Sequence, residues 1–250
     1  MNKNFYIQSI FPEYDTNKAV HALKENSREA RDKAYRELQK SKNFGLEYCA
    51  NSIKCGKYGI PLIDPYYGDL PEFYVSISSP ACQEPSKTCL TCLDYDYVLE
   101  RLWDNPYKYI DMVNSFLCFG TPDFSMKVDD TLAVQIANTH RNHALAFFYQ
   151  EHGATSFPSM SWSSTDSYEF CFDGYSRGGA VLVSTIGTHR DERSKFYFKK
   201  GFFEMLKRID PDTVVLYGDG NREKFPWLPN LLEVRFVLPY RYKRARNHGR

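Results

Sequence analysis

Apolar runs and amphipathic segments alternate regularly from near residue 116, and this alternation limits the folds that the chain can adopt. Runs of strand length occupy residues 116–121, 155–162, 179–185, 212–218 and 232–237. Segments of helical character occupy residues 131–152, 166–172 and 195–209. Apolar strands that alternate with helices form parallel sheets covered by helices. The pattern therefore predicts an α/β fold with a mostly parallel sheet flanked by helices in three layers, and a partial or complete βα barrel is the alternative.

The N-terminal part of the chain differs in character, which predicts an extension ahead of the α/β domain. Residues 16–42 are polar and charged and contain neither Gly nor Pro, as is typical of an exposed helix. Residues 44–71 are rich in Gly, Pro and Tyr, which favours loops with at most a short strand. The next predicted elements are a strand at 72–77 and a helix at 96–114 that Pro106 interrupts. We divide the chain into an N-terminal helix and loop extension (1–70), an α/β domain (71–240) and a basic C-terminal tail (241–250).

The charge balance narrows the classes of function. The chain has 32 basic and 31 acidic residues and a net charge of +1, so nucleic-acid binding would need a local basic patch. One such patch is the tail at 241–250, which is either a solvated tail or an arm that contacts phosphates. No apolar run approaches the ~20 residues of a membrane span. We therefore expect no membrane partner. The seven cysteines form no repeating framework, which favours a reducing compartment, so we expect a cytoplasmic protein.

Polar side chains follow four of the predicted strands. Asp123 and Ser125 come after the first of them, and the next three are followed by Trp162, Ser184 and Tyr217. Functional groups of a parallel α/β sheet gather at the carboxyl ends of its strands. We therefore predict that these side chains converge on one ligand-binding cleft. The alternative is that they are ordinary loop residues, which are polar in any protein.

Asp123, Asp129 and Asp130 form a local acidic cluster. Neighbouring carboxylates bind Mg²⁺, share a proton or act as acid and base, so Asp123 and Asp129 are our candidate catalytic residues. The alternative is that Asp129, Asp130 or Thr131 caps the helix that follows.

A polar stripe on that helix is a second candidate for ligand binding. Gln135, Asn138 and Asn142 are three or four residues apart and therefore share a face, and Arg141 lies beside them. An amide stripe with a guanidinium suits the recognition of an anion or a base edge. The alternative is a solvent-exposed helix face.

Cys82, Cys89 and Cys92 are candidate zinc ligands, because a Cys-x2-Cys pair suits tetrahedral zinc and Cys82 would supply a third thiolate. The second Cys-x2-Cys pair of a zinc ribbon is missing, so the alternative is a set of isolated thiols in a reduced loop. The sequence leaves the cofactor open between a divalent metal and structural zinc. Phosphate-loop, dinucleotide-fold, serine-hydrolase and His-Glu-x2-His motifs are absent.

Several short motifs together resemble a known family. In chain order they are Thr121-Pro122-Asp123-Phe124-Ser125, Gln135-Ile136, Asn138, Arg141-Asn142, Pro158-Ser159-Met160-Ser161-Trp162, 167–174, 183–187, 198–201, Glu204-Met205 and Tyr217-Gly218. Their order and spacing over residues 103–217, and more loosely from Tyr58, resemble the domain-of-unknown-function family 4417. The resemblance implies a phage or mobile-element setting and no particular reaction.

The chain departs from that family at two places. Asp129-Asp130-Thr131 stands where an Asp-Met-Pro-like opening of the long helix is expected, and His143 stands where a second Arg is common. If that Arg binds an anion in relatives, the departure predicts weaker anion binding here.

Two hypotheses follow. In the first, the chain is an enzyme or a protein that binds a nucleotide or nucleic acid. Asp123 is then a metal ligand or acid–base group, and Asn138 and Arg141 bind an anion or base. Trp162 stacks on the ligand. Hydrogen bonds to the ligand come from Ser125, Ser184 and Tyr217.

In the second hypothesis, the chain is a non-catalytic interaction protein, such as a counter-defence inhibitor or a replication accessory factor. It would bind a host protein through its N-terminal helix and basic tail. The sequence leaves the oligomeric state open.

Overall fold

The structure is a computed structural model that describes residues 44–218 and 220–239, together with Glu29 and Asp32. The predicted N-terminal helix (apart from those two residues, which are helical) and the predicted basic tail lie outside the described residues. The strands are β1 (Lys54–Cys55), β2 (Ile60–Pro61), β3 (Phe73–Ser76), β4 (Thr88–Thr91), β5 (Cys118–Gly120), β6 (Ser156–Phe157), β7 (Ser159–Met160), β8 (Ala180–Ser184), β9 (Thr213–Tyr217) and β10 (Glu233–Val237). The α-helices are α1 (Asp96–Asp104), α2 (Ile110–Asn114), α3 (Leu132–Glu151) and α4 (Glu192–Ile209).

The main strands form two parallel sheets, in the orders β3-β4-β5-β6 and β7-β8-β9-β10. The strands β1 and β2 form a separate antiparallel hairpin. Because Pro158 alone separates β6 from β7, the two sheets follow each other in chain order and are connected through one short extended segment. The α/β architecture with a parallel sheet flanked by helices is confirmed.

The break between β6 and β7 has a physical cause in Pro158, which has no N–H to donate to a neighbouring strand. On one side, Thr121 N donates to Phe157 O at 3.0 Å, and Ser159 N donates to the Thr121 hydroxyl oxygen at 2.8 Å. On the other side, Leu182 N donates to Pro158 O at 2.8 Å. The segment thus bonds to β5 with its first half and to β8 with its second half.

One face of both sheets contributes to a single apolar cluster, which we call the inner cluster. Its strand residues are Cys89, Cys118, Phe157, Ala180, Leu182, Val215 and Tyr217. Tyr66, from the loop after β2, completes it by stacking on Phe157 at a ring-centroid distance of 4.6 Å. A sequential order of parallel strands around a shared interior is compatible with the partial-barrel alternative, while the hydrogen-bonded strands form two separate four-stranded sheets.

The helices cover the opposite face. Side chains alternate across a strand, so Leu90 and Phe119 point away from the inner cluster and pack with α1, α2 and α3. Val181, Val183 and Val214 likewise pack with α4. Most predicted elements are confirmed with small changes of boundary, including the break of the 96–114 helix at Pro106. Strand β4 was not predicted. In the part of the chain that the structure describes, no helix has the length and apolar character to cross a membrane.

Helix α4 packs closely on the end of β7 at Gly201. The Trp162 ring lies over this glycine, its indole N–H donates to Tyr197 O at 3.1 Å, and it stacks on Phe198 at a centroid distance of 5.6 Å. A Cβ at position 201 would overlap the five-membered ring of Trp162.

We therefore predict that Gly201→Ala destabilises the protein. Alanine favours a helix over glycine by about 1 kcal/mol, but overpacking a filled site costs about 1–3 kcal/mol. Urea unfolding at neutral pH should show a lower free energy of unfolding for Gly201→Ala. Lys207→Ala, at an exposed position of the same helix, is the control and should be close to wild type. A stabilised Gly201→Ala variant would contradict the packing described.

Candidate functional site

The carboxyl ends of β5, β7 and β8 open into one cleft of about 510 Å³, which we call the strand-end cleft. The structure brings five of the predicted site residues to its lining: Asp123, Ser125, Asp129, Trp162 and Ser184. They meet because β7 and β8 are parallel neighbours that end at the same edge of one sheet, and the end of β5 is hydrogen-bonded to β7 through the Thr121 hydroxyl and Ser159 N.

Asp123 is the carboxylate of greatest chemical interest in this cleft. Its side chain is largely buried, and burial raises its pKa to about 6. A hydrogen bond from the Ser161 hydroxyl lowers this pKa, and the nearby charge of Asp96 raises it. A carboxyl group with this pKa gains and loses protons close to neutral pH, as an acid–base group must.

Buried hydrogen bonds fix the loop that carries Asp123. Asn142 Oδ1 accepts from Phe124 N at 2.7 Å, and Asn138 Nδ2 donates to Ser125 O at 2.8 Å. Asp96 Oδ1 accepts from both the backbone N–H and the hydroxyl of Ser125 at 3.0 Å.

The next part of the same loop is bound by Gln135. Its amide nitrogen donates to Lys127 O at 3.1 Å and Asp130 O at 2.9 Å, and its amide oxygen accepts from the Ser163 hydroxyl. The polar stripe of α3 is therefore directed at the loop. It is not an exposed face, and Asn138 does not line the strand-end cleft.

Arg141 also lies away from the cleft. Its guanidinium is 3.6 Å from the ring centroid of Phe124 and 4.8 Å from that of Trp103, and it pairs with Glu100 at 2.5 Å. These contacts place the charge between aromatic rings on the outer side of the loop. The structure therefore does not bring Arg141 together with Asp123 in one ligand site.

Trp162, Ser184 and Tyr217 have different surroundings. Trp162 lines the cleft, but one face of its indole stacks on Phe198. The hydroxyl oxygen of Ser184 accepts from Ile186 N at 3.2 Å. The side chain of Tyr217 enters the inner cluster and lines a separate cavity of about 680 Å³ beside Tyr74.

The structure adds cationic side chains that sequence reasoning missed, namely Lys127, Arg190 and Arg193. Arg193 pairs with Asp129 at 3.1 Å, and both groups are exposed, so Asp129 lies at the rim of the cleft. Arg190 and Arg193 were not predicted as site residues, because we expected the helix to begin at Lys195, three residues after the observed start at Glu192. The missed signal was Asp191 followed by Ser194, since the Asp191 carboxylate accepts from Ser194 N at 2.7 Å and caps α4.

The three candidate zinc ligands are not assembled. Cys89 belongs to the inner cluster, while Cys92 lies in the core on the helical side of the sheet. Cys82 lines the cavity beside Tyr74. Among the described residues, no group of three or more His, Cys, Asp or Glu side chains has the arrangement needed to hold a metal ion. The intervening β4 separates the thiols, because it directs successive side chains to opposite faces.

Comparison with known proteins gives a family match. The family described as Domain of unknown function (DUF4417) matches residues 54–235. The chain is 30% identical over 123 residues to the Gene 1 protein of Mycobacterium phage L5, which covers 49% of this chain and 54% of that protein. The Gene 1 protein of Mycobacterium phage D29 is 30% identical over the same length, with 46% of it covered. The chain thus spans about half the length of the curated relatives it matches. No solved structure matches it.

The raised pKa of Asp123 predicts a stability effect that depends on pH. Because the folded pKa lies above the unfolded one, the folded state holds the proton more tightly, and stability falls as pH rises from about 4 to about 6. Asp123→Asn removes the buried charge and should raise the free energy of unfolding by about 1–3 kcal/mol at pH ~7.5, with the gain lost at pH ~4.

Urea unfolding of both proteins at the two pH values measures this difference. Asp129→Asn, at a carboxylate whose side chain is 84% exposed, is the matched control and should show no such gain. A destabilised Asp123→Asn variant at the higher pH would mean that the carboxylate is stabilised by its surroundings rather than desolvated.

Proposed function

We propose that this chain, which belongs to the DUF4417 family and has phage relatives, binds a nucleotide or nucleic acid in the strand-end cleft. The observation that carries the proposal is the juxtaposition in one cleft of a largely buried carboxyl group, Asp123, with the cationic side chains of Lys127, Arg190 and Arg193. Clefts that combine convergent polar groups with a titrating carboxyl are characteristic of ligand sites.

The phosphate groups of the ligand would contact Arg190 and Arg193. Arginine suits this role because its planar guanidinium donates two parallel hydrogen bonds to a phosphate. The Arg193–Asp129 pair does not prevent it, since exposed ion pairs contribute about 0–1 kcal/mol and are readily exchanged. In this account Asp129 holds Arg193 at the rim until a phosphate replaces it.

Asp123 would supply the chemistry. Its carboxyl group lies at the end of β5 with the Ser161 hydroxyl as hydrogen-bond partner, and a pKa of about 6 lets it take a proton from a ligand group or return one. The alternative role for Asp123 is that of a metal ligand: in its ionised form it would hold a divalent cation together with the ligand's own phosphates, as is usual for Mg²⁺. Ser184 and the indole edge of Trp162 line the adjacent wall and would orient the base or sugar.

A thermal-shift screen tests this proposal. Purified full-length protein is heated with nucleotides and short oligonucleotides, each with and without Mg²⁺. A ligand at ~100 times its Kd stabilises the native state by about 2.7 kcal/mol, which raises the Tm by about 5–10 °C for a chain of this size. We expect such a shift for at least one phosphate-bearing ligand, and we expect Asp123→Asn and Arg190→Gln to reduce it.

Arg177→Gln is the control variant. Arg177 is exposed and pairs with Asp210 at 3.0 Å near the start of β8, at the opposite edge of the sheet. It should keep the full shift. Because Asp123→Asn alters stability by itself, the quantity compared is the change in Tm on adding ligand within each variant. If no ligand raises the Tm of the wild type, the strand-end cleft is not such a site, and the interaction-protein hypothesis becomes the better account.

A further inference from the structure

A second concave surface adjoins the strand-end cleft. It has a volume of about 860 Å³ and lies between the first turns of α4 and the segment that follows β9. We call it the basic groove and define it by Arg190, Lys195, Phe196, Lys199, Lys224 and Trp227. Apart from Arg190, these side chains have no role in the chemistry proposed for the strand-end cleft.

The groove concentrates positive charge on a chain whose net charge is only +1. Residues 192, 195, 196 and 199 share one face of α4, because they are three or four positions apart. The acidic residue among them, Glu192, is already paired with Lys195 at 2.6 Å. Arg190, Lys199 and Lys224 are also exposed, so basic side chains outnumber acidic ones among the described residues that line the groove.

Aromatic rings are interleaved with these charges. Phe196 is 51% exposed although it lies on a helix with a well-packed apolar face, and Lys200 Nζ lies 4.8 Å from its ring centroid. On the opposite wall Trp227 is held edge-on by Phe202 and Phe225, at centroid distances of 5.3 and 5.9 Å. Of the two rings Phe196 is exposed and Trp227 is partly buried, so Phe196 presents the surface beside cations that an unpaired base requires for stacking.

The groove and the cleft are continuous. Arg190, Ile186 and Gly187 line both. Gly187 has a positive φ of 81°, and a side chain added there would meet no atom within 4 Å, so the space at this shared position is open. A polyanion of several residues can therefore extend from one into the other, whereas a mononucleotide occupies one of them.

We propose that the basic groove binds single-stranded nucleic acid whose backbone passes Arg190 and delivers one nucleotide to the strand-end cleft. This inference rests on the proposed function and names its ligand class. Arg190, Lys199 and Lys224 contact phosphates, while the exposed ring of Phe196 stacks with a base. A duplex hides its base faces and would leave the Phe196 ring without a role.

The test is fluorescence anisotropy with a labelled oligo(dT) of about 12 nucleotides, within the range of single-strand site sizes. We expect the wild type to bind it, with log K falling against log salt by about 0.7 for each phosphate contact. Lys199→Gln/Lys224→Gln should weaken binding and reduce that slope by about 1.4, the share of two contacts. The matched control Lys108→Gln/Lys207→Gln, which also removes two exposed lysines, should match the wild type.

Phe196→Leu separates stacking from charge. It keeps an apolar side chain at an exposed position, so folding is retained, and we expect it to weaken binding at least fivefold, the lower limit for one base–aromatic stack, with the salt slope unchanged. An oligo(U) of the same length distinguishes RNA from DNA, and the corresponding duplex should bind more weakly than either single strand.

The two proposals fail separately. If Asp123→Asn leaves oligonucleotide binding unchanged while Lys199→Gln/Lys224→Gln weakens it, the proposal for the basic groove is supported and the proposal for the strand-end cleft is not. The groove is refuted if the wild type does not bind single strands at low salt, if both double variants bind equally well, or if the duplex binds as tightly as the single strand.

Discussion

The extended segment from Ser156 to Met160 connects the two parallel sheets, and its position determines how they lie beside each other. Pro158 cannot donate a hydrogen bond, so the segment changes partners there, and its two halves continue two different sheets. The Thr121 hydroxyl accepts the bond from Ser159 N that would otherwise have no strand partner. This exchange connects the sheets in chain order and lets their inner faces share one cluster. It also places the ends of β5, β7 and β8 side by side, which creates the strand-end cleft.

The chemistry of the cleft depends in turn on buried polar groups of α3. Gln135 and Asn142 are nearly inaccessible to solvent, and burying an amide is favourable only when it is hydrogen-bonded. Both satisfy this requirement by binding the loop between β5 and α3. The loop is thereby held against the sheet with Asp123 directed inward, and the loss of water around that carboxyl group is what raises its pKa. Packing, loop position and acidity are thus linked by the same few residues.

Periodicity predicted most of the fold because long apolar runs such as 179–185 and 212–218 have few alternatives to a buried strand. It failed at β4, because Thr88–Thr91 neither alternates between polar and apolar residues nor forms an apolar run, and two cysteines nearby suggested metal binding instead. At the site, the convergence of Asp123, Trp162 and Ser184 follows from the direction of parallel strands alone. The tertiary contacts of Arg141 cannot be predicted from strand direction, because nothing in the sequence of α3 indicates that Phe124 and Trp103 enclose its guanidinium. The cations Arg190 and Arg193 escaped prediction because their positions depend on where α4 begins.

The proposed place of ligand binding in this protein is the strand-end cleft. It can be located by titrating the protein with the nucleotide or oligonucleotide that stabilises it most and recording its backbone amide NMR shifts. Binding in the cleft predicts that the largest shift changes lie at Ser161–Ser163 and at Ser184–Ser194, around Asp123 and Arg190. Changes confined to another surface, such as the cavity beside Tyr74 and Tyr217, would contradict it.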